Sequence, residues 1–326
     1  MVIPPKYFLT PKITQLLQSI EASKEVINTV TIPPEIETNI RRQSILKSSL
    51  FSARIEGNPL NLAELPKRPS KDQRRLEVFN ILKALNLIYQ TGSKDLTVKQ
   101  ILKLHQIVMS SLSQKDDLGR FRQETSAIFN SAGIAVYLPP RPSKVSTLMV
   151  KLVNFINSSK EPFVPIRSCL AHYSFEKIHP FLDGNGRVGR LIFQAVLQKG
   201  GYGMKGLLPI EEFLDNHRAE YYQSLEASEK DVTEYLEFML EALEQTALKA
   251  KQLVLEKQKV EAEDYLLPRR AEILNIIRDQ RLVTFDAIRR RFMAVVPRTL
   301  SYDLKKLQDA GLIRKRGTTR GVYYEA

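Results

Sequence analysis

His179-Pro180-Phe181-Leu182-Asp183-Gly184-Asn185-Gly186-Arg187-Val188-Gly189-Arg190 is the stretch whose reading decides the rest. It sets a histidine, a carboxylate, a glycine-flanked turn and two arginines in one loop and the start of a helix. Glycine accepts positive φ, so Gly184-Asn185-Gly186 lets successive backbone N–H groups point into one concavity. A helix beginning there adds free N–H donors and a partial positive charge, which suits a phosphate. Arg187 and Arg190 lie three apart on one helical face, where planar guanidinium forks suit outer phosphates. Asp183 is a single hard carboxylate beside the nest, and Mg²⁺ held by one carboxylate plus substrate phosphates matches that supply. His179 titrates near neutrality and suits a general base. Phe181 reads as the anchor that fixes the loop on a core. A plain turn between helices requires none of this set.

Outward from the loop, the chain reads as mostly helical. The apolar spacing predicts helices over 165–178 and 188–199 on either side. Others are expected at 11–29, 35–52, 74–89, 97–112, 144–158, 211–227 and 231–262, with Pro33-Pro34, Pro59 and Pro66-Lys67-Arg68-Pro69 as breaks. Residues 120–142 change character: Phe121, Ile128, Val136 and Tyr137 are interrupted by Asn130, Gly133 and Pro139-Pro140, the pattern of a small β-hairpin flap. The C-terminal part has its own pattern. A helix over 269–278, a second capped by Thr284 and running to Phe292, and a third over 299–310 precede an alternating run around Gly317-Thr318-Thr319. That order reads as a winged helix-turn-helix. Arg298, Ser301, Tyr302 and Lys305 are the expected exposed face of its third helix. Arg314, Lys315, Arg316 and Arg320 belong to the expected wing.

Composition narrows the class. At 326 residues with 43% hydrophobic and 26% charged residues, the chain reads as a soluble protein of two or three domains. No apolar run reaches the ~18 residues of a membrane span, and the proline-bearing start is unlike a signal peptide. The one cysteine, Cys169, is expected in a core, and a single thiol suits a reducing cytoplasm. The net charge of +13 is uneven: residues 268–326 hold 14 Lys and Arg against 6 Asp and Glu. A basic terminal module suits a polyanion, so DNA is one expected partner through this part, with protein contacts and dimerisation the open alternative.

The loop resembles the signature of the Fic family, His-Pro-Phe-x-(Asp/Glu)-Gly-Asn-Gly-Arg-x-x-Arg, without departure, and the likeness extends over about residues 35–230. The resemblance implies a mainly α Fic-type helical bundle with a hairpin flap. It also implies a protein adenylyltransferase that moves AMP from ATP to Ser, Thr or Tyr hydroxyls of target proteins and of itself, releasing pyrophosphate. His179 is then the base and Asp183 the Mg²⁺ ligand. The run Gly184, Asn185, Gly186, Arg187, Val188, Gly189 and Arg190 is expected to hold the nucleotide, together with Asn216. Glycine at 186, where a kinase-like branch has lysine, favours AMP transfer. Upstream, Ser52-Ala53-Arg54-Ile55-Glu56-Gly57-Asn58 resembles the family's inhibitory motif, (Ser/Thr)-x-x-x-Glu-(Gly/Asn). Ser52, Glu56 and Gly57 are its matching positions, and Glu56 is expected to pair with Arg190. Such a glutamate also supports removal of AMP in some relatives. Tyr221 or Tyr222 is expected beside adenine or in the core, and His172, His105 and His217 in structural roles.

The expected domains are 1–95 with the inhibitory motif, 96–230 as catalytic core, 231–267 as helical linker and 268–326 as winged helix. A homodimer stays open, as do a nucleotide-sensing DNA-binding regulator without transfer activity and a donor of UMP or phosphocholine.

Overall fold

The computed structural model describes residues 1–62, 72–92, 95–129, 135–257, 266–293, 295–317 and 322–326. It is mainly helical, and the chain divides into two compact units. One comprises Met1–Thr31 and Glu37–Glu256, the other Ile32–Ile36 and Lys257–Ala326.

The first unit holds α1 (Pro11–Thr29), most of α2 (Pro34–Ile55), α3 (Gln73–Thr91), α4 (Val98–Val108), α5 (Pro142–Asn157), α6 (Val164–Ile178), α7 (Asn185–Lys199), α8 (Ile210–Asn216), α9 (Arg218–Leu225) and α10 (Thr233–Glu256). Local chemistry sets the helix starts. The Thr10 hydroxyl accepts from the Ile13 N–H at α1, and Thr97 with Gln100 closes a capping box at α4. Proline stands in the first turn of α1, α5 and α6, where its missing N–H costs nothing. α6 is buried along nearly its whole length, so it needs no polar face. It packs against α5, α7 and α10 and carries His179 at its end. A further core joins Ile81 and Leu85 of α3, Leu104 and Val108 of α4, Leu50 of α2 and Leu191 of α7.

The expected flap is a short antiparallel pair, β1 (Ile128–Phe129) and β2 (Ala135–Tyr137), with Ile128 opposite Tyr137. Asn130 and Gly133 lie outside the described residues, as do Pro66 to Pro69. Two expectations need correction. The single helix over 211–227 breaks at His217 (φ −118°, ψ 41°), whose imidazole stacks on Phe213 and bonds its carbonyl. The helix expected over 231–262 as a linker is described to Glu256 and belongs to the first unit. It runs parallel to α1: Thr10 donates to Glu237, Lys12 pairs with Glu241 and Ser19 donates to Glu244. Ile13, Ile20 and Ile27, spaced by seven, are fully buried on the α1 side.

The second unit orders α11 (Pro268–Gln280), β3 (Val283–Thr284), α12 (Phe285–Arg291), α13 (Pro297–Asp309), β4 (Arg314–Arg316) and β5 (Tyr323–Glu325). The strands form one antiparallel sheet in the order β3-β5-β4. Ile273, Ile277, Ile288, Leu300, Leu304 and Tyr324 are among the side chains of its core. Asp303, 1% exposed, joins α13 to α11 through Arg269 and Arg270. Arg298, Ser301, Tyr302 and Lys305 are exposed on α13, as are Arg314 to Arg316 on β4. Thr318, Thr319 and Arg320 lie outside the described residues.

Candidate active site

The loop between α6 and α7 is built to hold one shape. His179 caps α6 in the left-handed region (φ 48°), with its N–H on the Phe175 carbonyl. Its carbonyl accepts from Arg122 Nε at 2.7 Å. Arg122 is 2% exposed and also donates to the carbonyls of Glu124 and Pro140, so it joins the flap's base to the histidine's backbone. Asn185 closes the loop: its Oδ1 accepts from Phe181 N–H and its Nδ2 donates to Phe181 O, both at 2.9 Å. Phe181 is fully buried and stacks on the His105 ring at 3.8 Å. His105 Nε2 meets the Asp183 carbonyl, and its Nδ1 accepts from Gly119 N–H. Gly184 (φ 81°) admits no side chain, since a Cβ would meet Met109 Sδ at 2.6 Å.

The upstream segment reaches into this cradle. α2 ends in a Schellman turn: Gly57 N–H donates to Arg54 O and Asn58 N–H to Ala53 O. Gly57 takes φ +98°, which glycine adopts without strain. Glu56 is thereby the last residue before the reversal, and its carboxylate accepts from Arg190 Nη2 at 2.8 Å. Ser52 completes the hold: its hydroxyl accepts from Arg190 Nε at 3.0 Å and its carbonyl from Nη2 at 2.9 Å. Arg190 is 2% exposed. A Cβ on Gly186 would collide with Glu56 Oε1, so the carboxylate lies directly over the glycine turn at the start of α7. An anion stands where the helix N-terminus favours one. Arg187 faces elsewhere. Its Nη1 donates to Glu77 of α3 at 2.6 Å and its Nη2 to Asp183 at 2.8 Å.

Comparison with known proteins bears on this arrangement. Residues 95–197 match the Fic/DOC family, and the loop and α7 fall within or close to that match. The chain contains a Fic domain. Protein adenylyltransferase Fic of Drosophila melanogaster is 27% identical over 243 residues, 71% of this chain and 47% of that protein. The chain thus spans about half the length of the curated relatives it matches. A crystal structure of a Fic family protein from Desulfovibrio desulfuricans superposes with a TM-score of 0.67 at 23% identity, covering 98% of this chain and 97% of that one. Fic-1 from C. elegans gives 0.58 at 19%, over 75% of this chain and 72% of that one. Both likenesses are of fold.

Within the Fic domain, burial lowers the His179 pKa to about 4, and the pull of the Glu56 and Asp183 carboxylates does not offset it. The imidazole is neutral at physiological pH. Burial opposes the charge of Arg190, yet the Glu56 carboxylate raises its pKa and keeps it cationic. Beneath the loop, His172 is fully buried between Tyr235 and Tyr221, which bond its two ring nitrogens. Tyr221 is therefore core. Tyr222 is 44% exposed and donates to the Ile55 carbonyl, near the end of α2. Cys169 is fully buried, as expected.

Not all expected nucleotide-holding positions face the cradle. Val188 is fully buried, and Gly189 faces Glu176 of α6, where a Cβ would collide with the carboxylate. Asn185 spends its side chain on the loop itself. Asn216 is exposed at the end of α8, beside Asp215, which pairs with Arg54 of α2 at 3.0 Å. Glu77, Asn58, Arg122 and His105 were not singled out for the site. Their partners lie up to 110 residues away, and no local motif marks them. Among the described residues no cluster of three or more His, Cys, Asp or Glu is placed to cage a metal. Asp183 keeps 64% of its side chain exposed at the loop. That donor set fits a Mg²⁺ ion carried largely by substrate phosphates, and not an all-protein site.

Proposed function

We propose that this chain is a protein adenylyltransferase held inactive by its own Glu56. One observation carries the reading: the Glu56 carboxylate lies over Gly186 and on Arg190, in the place a phosphate of bound ATP would take. The names of the Drosophila relatives support the choice of reaction. When Glu56 withdraws, the N–H groups around Gly184 to Gly186 and the start of α7 receive the ATP phosphates. Arg190 then orients the outermost one. Neutral His179 takes the proton of a target hydroxyl as that oxygen attacks the α-phosphorus. The bond from the α-phosphorus to the bridging oxygen breaks, AMP stays on the target and pyrophosphate leaves. Bound Mg²⁺, held by Asp183 and the phosphates, would supply charge neutralisation. The edge of β2 in the flap suits a target segment laid beside it as an added strand.

The full chain, incubated with Mg²⁺ and labelled ATP, is expected to gain the mass of one AMP slowly. Glu56→Gly is expected to gain it at least ten-fold faster, roughly the weight of one charged hydrogen bond or more. His179→Ala in that background is expected to gain none. A Glu56→Gly chain whose mass never rises, on itself or on any protein of a lysate, overturns the reading. Parallel incubation with labelled UTP and CDP-choline tests the donor.

A second activity is favoured by α13. Its face of Arg298, Ser301, Tyr302 and Lys305 is exposed above a buried Asp303, and three exposed basic residues follow on β4. This supports reading the second unit as a winged helix-turn-helix that binds DNA.

A further inference from the structure

The segment that carries Glu56 is held at a second point. Beyond the Schellman turn, the Asn58 side chain is 8% exposed and turned toward α3. Its Nδ2 donates to the Arg74 carbonyl and to Glu77 Oε2, both at 2.8 Å, and its Oδ1 accepts from Leu60 N–H at 3.1 Å. The other Glu77 oxygen accepts from Arg187. Both arginines of α7 are therefore held by carboxylates, Arg190 by Glu56 and Arg187 by Glu77 and Asp183. The turn from Glu56 to Asn58 joins Glu56 and Glu77 into one circuit.

We propose that Asn58 is a positioning residue for Glu56: its amide, fixed on Glu77 and the Arg74 carbonyl, sets how often Glu56 leaves Arg190. The proposal rests on reading Glu56 as inhibitory and names what governs that inhibition. The two ends of the circuit are unequal. Arg187 is 8% exposed, and its Nε has no hydrogen-bond partner among the described residues. Moving Glu77 away would leave the buried Arg187 cation only the largely exposed Asp183 carboxylate, which is costly. α3 is therefore the fixed anchor. Glu56 keeps 26% of its side chain exposed and is the movable end. Upstream, Arg54 on Asp215 and Tyr222 on the Ile55 carbonyl hold the helix. Downstream, Asn58 holds the turn. The residue type matters as well. An amide nitrogen supplies two donors, and two acceptors use them; alanine supplies none, and a carboxylate would face Glu77 and a carbonyl with no proton to share.

The test uses the full chain with Asn58→Ala and the nearly isosteric Asn58→Asp, read by AMP incorporation and by amide hydrogen exchange over residues 52–60. Both variants are expected to exchange faster over that segment, with unchanged protection in α6 and α7. Both are expected to transfer AMP faster, on the order of ten-fold for Asn58→Ala, the weight of a hydrogen bond to a charged group. In the Glu56→Gly background the same substitution is expected to change the rate less than two-fold, because the lock is already absent. Wild-type exchange and rate in both variants overturn the proposal. So does an equal acceleration in the Glu56→Gly background. If Glu56→Gly transfers nothing, the reading of function fails, while the exchange measurement still decides whether Asn58 fixes the segment.

Discussion

His179 sits in the left-handed region, which residues with a side chain adopt uncommonly. A non-glycine residue in the left-handed region carries strain, and here the backbone is held on both sides, by Phe175 and Arg122. The return is an imidazole held neutral. Protonation must overcome burial, so the free base persists down to about pH 4. The sign follows directly: a base with a lowered pKa loses its neutral form only as pH falls through that lowered value. In Glu56→Gly, single-turnover AMP transfer is therefore expected to stay level with respect to this group from pH 8 to about 5 and to fall below that. Glu56 is a neighbour that raises this pKa, so loss of its charge pulls the midpoint down. A rate that halves near pH 6.5, the ordinary value for histidine, would remove His179 as the buried base.

At the scale of elements, the helices and the loop were largely legible and their long-range ties were not. α1 matches the expected 11–29, because a threonine cap and proline mark its start and Pro33-Pro34 follow its end. The glutamate motif was legible because Gly57 dictates a helix stop that leaves Glu56 at the end. The clasp by Asn185, the strut of Arg122 and the Glu77–Arg187 pair were not, because each depends on which distant segment arrives opposite. The packing of α10 into the first unit was hidden for the same reason: its charged outer face dominates the sequence, and the apolar stripe against α1 becomes visible only in pairs. In the second unit the pattern did identify the exposed face of α13. There Arg298 and Lys305 stand clear of the core while Leu300, Leu304 and Leu307 enter it. If that face meets DNA, Arg298→Ala is expected to weaken binding and to reduce the slope of log affinity against log salt by about one, the share of one phosphate contact. Titration of the chain with duplex DNA at several salt concentrations reads both. A slope near zero in the parent chain rejects nucleic acid as the partner.

For the molecule as a whole, the buried core around α6 ties stability to pH in two opposing ways. His172 is held to a pKa of about 3 by burial, with the Arg190 charge adding to it, and His179 to about 4. Both lie below the ordinary 6.5, so between pH 6.5 and 4 the unfolded chain binds protons that the native chain refuses. Stability from these two groups is present above pH 6.5 and drains as pH falls. Glu176 does the reverse. Burial raises its pKa to about 8, so the native chain keeps a proton that the unfolded chain releases above about 4.5. Its contribution drains as pH rises from there to 8. Each group changes stability by about 1.4 kcal/mol per pH unit within its window. Among these three groups, the two histidines outweigh the glutamate from pH 4.5 to 6.5 and stability climbs; from 6.5 to 8 only Glu176 of the three acts, and stability falls. Thermal unfolding of the first unit is therefore expected to peak between pH 6 and 7. Glu176→Gln, which cannot ionise, is expected to abolish the alkaline decline and leave the acid one in place. An alkaline decline that persists in Glu176→Gln would mean that a different group carries the proton.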